Sequence, residues 1–153
     1  MEIMTHSDTV LRAGMTVKPR HAGQVLDCVG VSSRMPWDSG PSTDGTDLVV
    51  ASGGASVRVM DPAIPEFLLI LGELPLAETG TATIRVTGRG PRIMLCLSGA
   101  MECRSGNGRR VLRMGEAVFV PAVDGDLTVS AVRMPGRTDG GCGCRFVVAT
   151  TGR

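Results

Sequence analysis

The sequence predicts an all-β protein, a two-sheet jelly-roll sandwich preceded by a short amino-terminal loop and helix. Three observations carry this prediction. Glycine occurs 21 times and proline nine times in 153 residues, a composition that favours many tight turns over long helices. Beyond residue 46, short runs rich in Val, Leu, Ile and Thr follow one another, with glycine or proline in nearly every gap. Ten such runs are present, which suits two packed antiparallel sheets.

Residues 1–31 form the leader. Within it Val25, Leu26 and Val29 have partial helical spacing, which predicts a short helix over 24–31. Residues 32–45 carry Pro36, Pro41, two glycines and several Ser, Thr and Asp, a breaker-rich composition that marks an exposed connector. The sandwich then occupies 46–153. Strands are expected at 48–51, 56–60, 67–74, 81–87, 93–97, 100–103, 109–112, 117–120, 127–132 and 144–150. Ser105-Gly106-Asn107-Gly108 joins two of them as a hairpin.

Alternation is clearest in 81–87, where Ala82, Ile84 and Val86 share one face and should be buried. Ile93-Met94-Leu95-Cys96-Leu97 and Val118-Phe119-Val120 are apolar at every position. That pattern predicts inner strands covered on both sides, so these residues are core candidates. Gly99 and Gly115 stand where turns need backbone freedom. Asp124-Gly125-Asp126 reads as a turn before a strand, Arg109-Arg110 as the solvated end of a hairpin, and Arg89 to Arg92 as flanking a Gly90-Pro91 turn.

The charge balance, 16 Lys+Arg against 15 Asp+Glu with three Phe and one Trp, supplies neither a basic field nor stacking surfaces for nucleic acid. No run of about 18 apolar residues exists to span a bilayer. Met1 to His6 lack the basic and apolar zones of a signal peptide, so a cytoplasmic protein is expected. Five cysteines are an odd number, and Cys28, Cys96 and Cys103 sit singly among apolar neighbours. Free thiols are expected. Cys142-Gly143-Cys144 has a one-residue spacing and no second pair, which suits a glycine-rich loop better than a zinc site.

Near the amino terminus lies Ser7-Asp8-Thr9-Val10-Leu11-Arg12-Ala13-Gly14-Met15-Thr16-Val17-Lys18. This string resembles the signature that closes the catalytic cupin domain of zinc-dependent type I mannose-6-phosphate isomerases. Downstream, Ile64-Pro65-Glu66-Phe67, Gly90-Pro91-Arg92-Ile93-Met94-Leu95-Cys96-Leu97-Ser98-Gly99 and Gly115-Glu116-Ala117-Val118-Phe119-Val120-Pro121-Ala122 are similar to that family's carboxy-terminal cupin-like domain, in the same order. The resemblance covers most of the chain.

It implies a cupin-like jelly roll in a protein that interconverts mannose 6-phosphate and fructose 6-phosphate. Such an aldose–ketose exchange needs a base for the carbon-bound proton, a Lewis acid for the developing oxyanion and donors for the phosphate. By resemblance Arg12 matches the motif's arginine, a catalytic position facing the substrate, and Lys18 matches its lysine, a phosphate-binding position. A guanidinium offers a rigid fork to paired oxygens, and an ammonium offers a point charge. Both residues, read without the resemblance, are basic residues of an exposed terminal loop.

Departures from the motif are Val17 for a usual proline, Thr9 for a common asparagine, and His6 where a small or amide residue is usual. Losing the proline removes a fixed φ before Lys18. The cofactor implied is zinc, held in the family by a glutamine, a glutamate and two histidines that precede this motif. Those segments have no counterpart here, and no histidine lies between Gly30 and Arg153. His6 and His21, with Asp8, do not supply three ligands on a rigid scaffold. No metal site is therefore expected in this chain.

Three readings of the chain are open. It is a member of the isomerase family by descent without the zinc half of the site, or a non-catalytic jelly-roll module that binds a sugar or protein or associates with itself, or a fragment of a longer reading frame. The implied partners are a sugar phosphate and either a second copy or a separate catalytic domain. Val10, Leu11 and Met15 of the leader would then lack their usual cover, so a loosely docked leader and dimerisation are expected.

Overall fold

The computed structural model describes residues 14, 15, 17–28, 48–61, 66–76, 82–87, 90–106, 108–133 and 143–151. Arg12, His6, the connector 32–45 and Cys142 lie outside the described residues. A helix α1 spans Ala22–Cys28, starting two residues before its expected position, and residues 29–31 lie outside the described residues. Its side chains are largely exposed, Leu26 among them. Met15 and Val17 are fully exposed as well.

The strands are β1 Val49–Ser52, β2 Ser56–Met60, β3 Leu68–Leu74, β4 Thr83–Val86, β5 Arg92–Ser98, β6 Ala100–Ser105, β7 Gly108–Arg113, β8 Ala117–Val120, β9 Leu127–Ala131 and β10 Cys144–Thr150. Each expected strand is present, with ends shifted by a residue or two. A single 3₁₀ turn, Ala122–Asp124, links β8 to β9, and Gly125 after it has φ 68°. This is the turn expected at Asp124-Gly125-Asp126.

The first sheet has the order β1-β4-β9-β6-β7 and the second β2-β3-β10-β5-β8, with every pairing antiparallel. From β3 to β10 the chain crosses between the sheets at each connection except the β6–β7 hairpin. That is the double Greek-key path of a jelly roll. β1 and β2, joined by a short turn, add one further strand to each sheet.

The core lies between the sheets. Ile70, Ile84, Met94, Met101, Leu127, Val129, Phe146 and Val148 are fully buried there, and Ala82, Ile84 and Val86 are buried as the alternation predicts. Gly72 makes room for the ring of its cross-strand partner Phe146, because a Cβ on it would lie 2.3 Å from that ring. At the β5–β6 turn Gly99 has φ 72°, and a Cβ there would meet the Gly143 carbonyl at 2.5 Å. Only glycine fits such a position.

The expectation that β5 and β8 are covered on both faces needs correction. Met94, Cys96 and Val120 are buried, but Ile93 is 47%, Leu97 37% and Phe119 59% exposed. In a two-layer sandwich one face of each sheet packs inward and the other points away. The outward positions of β5 and β8 are apolar without being core.

Candidate functional site

The predicted substrate-binding residue Lys18 is exposed, on a bend just before α1. Its predicted catalytic partner, Arg12, lies outside the described residues. His21 is exposed at the start of α1, where its carbonyl accepts a hydrogen bond from Val25 N at 2.9 Å.

Inside the sandwich, β5, β6 and β10 direct Cys96, Cys103 and Cys144 into the apolar layer, where all three are buried free thiols. Cys103 Sγ lies 3.9 Å from Met94 Sδ. Cys96 Sγ is directed to the carbonyls of Ser98 and Gly99 at 3.5 and 3.7 Å. Burial pushes the Cys103 and Cys144 thiols up to about 12, with neighbouring thiols adding to the shift. Burial raises Cys96 too.

Zinc takes thiolate, imidazole or carboxylate ligands in a tetrahedral set. Thiols held protonated in an apolar layer are poor candidates. Among the described residues no group of three or more His, Cys, Asp or Glu is placed to hold a metal ion. The residues of this interior do not fit a zinc ion.

A cleft of about 190 Å³ opens between the free edges of β7 and β8. Cys103 and Leu127 form its floor, Val120 and Arg110 its walls, and Asp124 one end. The hydrogen bond from Gly106 N to Asp124 O at 2.9 Å ties the β6–β7 hairpin to the 3₁₀ turn and closes that end. Arg109 also borders the cleft, but its guanidinium is engaged elsewhere, by Glu102.

Glu102 is a residue that reading the sequence missed. It is buried on the outward side of β6, where Arg104 and Arg109 both bind its carboxylate. The hydrogen bond from Arg104, then that from Arg109, holds its carboxyl below the usual value against the opposing effect of burial. The available signal was Glu102 and Arg104 two residues apart on one strand, with Arg109 just across a hairpin.

Arg92, expected to flank a turn, instead begins β5 and is 1% exposed. Its Nη2 donates to the Pro121 carbonyl at 3.4 Å, while Nε and Nη1 have no partner. Burial lowers its pKa, opposed by the charges of Asp126 and Asp124.

No protein-family model matches the chain. It is 28% identical over 132 residues to mannose-6-phosphate isomerase of Salmonella typhimurium, a match that covers 85% of this chain and 30% of the relative. Against mannose-6-phosphate isomerase of Cryptococcus neoformans the identity is 27% over 124 residues, covering 80% and 26%. The chain is thus similar over most of its length to part of two mannose-6-phosphate isomerases. It spans between about a quarter and a third of the length of the curated relatives it matches.

Solved isomerase structures share the fold. The crystal structure of the Salmonella typhimurium isomerase bound to substrate and zinc superposes over 98% of this chain and 32% of that one, at 24% identity and a TM-score of 0.56. The zinc-bound form of mannose 6-phosphate isomerase gives 95%, 31% and 0.54 at 23% identity. The likeness to these two structures is one of fold, a two-sheet β sandwich shared with about a third of each.

Proposed function

We propose that this chain serves a mannose-6-phosphate isomerase as its metal-free cupin-like domain. In this reading the amino-terminal motif supplies Arg12 and Lys18 to a sugar-phosphate site, and the zinc ligands come from residues outside these 153. The isolated chain then has no isomerase turnover. The observation that carries the proposal is the interior of the sandwich, filled by Met94, Met101, Phe146 and three protonated thiols. A cupin that binds metal there would need imidazole or carboxylate groups on those strands.

The test is conversion of mannose 6-phosphate to fructose 6-phosphate by the purified chain with added zinc, beside the Arg12→Ala variant. No turnover and no stoichiometric zinc are expected. Turnover that Arg12→Ala abolishes would overturn the proposal.

A second reading, a non-catalytic module that binds or self-associates, is favoured by one observation. The outward side chains of β5 and β8 are exposed and apolar.

A further inference from the structure

The two sheets differ on the sides they turn away from the core. On the first, Thr83, Arg85, Glu102, Arg104, Thr128 and Ser130 share the outward face, as their pairings show. That is the usual polar cover of an antiparallel sandwich. The second sheet lacks it. Its register places Met60, Leu69, Ala149, Ile93 and Phe119 side by side across all five strands. The next row holds Leu71, Val147 and Leu95 between Arg58 and Ala117.

Phe119, Ile93 and Leu97 are 59%, 47% and 37% exposed, while Val147 at the centre is buried among its neighbours and Leu69, Leu71 and Leu95 are half-buried, so this side is most open along β5 and β8. Single exposed apolar residues need no explanation, but adjoining rows of apolar side chains across a sheet form a patch of the kind that marks an interaction site.

We infer that this face is a self-association surface, on which a second copy of the chain packs sheet against sheet. The inference is independent of the sugar-phosphate reading. Two features select a second copy as the occupant. The first is charge: the polar end of the face pairs Glu73 with Arg145 at 3.4 Å, both well exposed, and the whole chain carries a net charge of only +1. Such a rim sets up no field of one sign for an acidic or basic partner, whereas both signs side by side suit a self-complementary contact.

The second is area. Five strands about 4.8 Å apart and roughly 20 Å long give about 500 Å² of flat surface on each copy, so a pair covers about 1,000 Å². That meets the lower bound for a specific interface.

Sedimentation velocity of the full chain over a dilution series tests the inference, with Phe119→Glu, Ile93→Lys and, as a control on the other sheet, Thr128→Lys. A dimer is expected for the parent and the control. Phe119→Glu should weaken it about 30-fold or more, the effect of putting a charge in place of the most exposed apolar side chain of the face. Circular dichroism confirms that the variants fold. A parent chain that stays monomeric at every concentration, including one whose own leader covers the face, overturns the inference. So does a dimer that both face variants leave intact.

Discussion

Replacing Gly72 with alanine tests the packing of the Phe146 ring across the β3–β10 pair on the core side of the sheet. A Cβ at Gly72 would stand 2.3, 2.6 and 2.9 Å from three atoms of the Phe146 ring, where carbon atoms normally rest about 3.5–4.0 Å apart. The ring must therefore retreat by roughly 1 Å. It has nowhere to go, because Phe146 is fully buried among core residues. Overpacking of this kind costs about 1–3 kcal/mol, and the alanine returns about 0.5–1 kcal/mol by stiffening the unfolded chain.

A net loss of about 1–2 kcal/mol follows, read as a shift in the urea midpoint at unchanged slope. Phe146→Leu alone should cost about 1–2 kcal/mol. In the double variant the added methyl occupies space the ring has left, so the two effects should couple favourably by about 1–2 kcal/mol. Gly72→Ala within 0.5 kcal/mol of the parent, a bound on the order of ordinary surface changes, would refute the reasoning. Strict additivity of the two substitutions would refute it too.

Other substitutions address the charged and thiol groups. Glu102→Gln should lower stability at neutral pH. The folded carboxyl titrates below its ordinary 4.5, so its contribution is complete above that value and is lost as the pH falls through the folded pKa. Unfolding curves of parent and variant should converge in acid. Cys103 and Cys144 should resist iodoacetamide at pH 8 until the protein is denatured, as mass spectrometry of the labelled chain would read. Their folded values of about 12 stand above the ordinary 9.0, so only the unfolded thiols ionise in between. Stability should accordingly fall as the pH rises above about 9, and the loss should level off near 12. Arg92→Met removes two buried donors that lack partners and leaves Asp124 and Asp126 near solvent. It should raise thermal stability by about 1 kcal/mol, and a loss of that size would contradict the account.

The strands were legible because glycine and proline punctuate short apolar runs, and β4 was legible to the residue because Ala82, Ile84 and Val86 alternate with polar positions. Where both faces are apolar, as in β5 and β8, sequence has no term that says which face meets the other sheet. That choice is made by the register with β10 and by the crossing path of the chain. The burial of Arg92 depends likewise on β8 and the segment after it, which approach from distant sequence. Glu102 is ordered by two arginines that a hairpin brings to it. Arg12 and Lys18 differ in kind, since neither periodicity nor spacing singles them out. Their assignment comes from the resemblance of the whole motif.

Zinc content and isomerase turnover, measured on the same preparation of the chain, test the central claim most directly. A protein that is folded by circular dichroism, carries less than stoichiometric zinc after dialysis against the metal and leaves mannose 6-phosphate unconverted is the predicted result. One zinc per chain together with turnover that Arg12→Ala removes would contradict it.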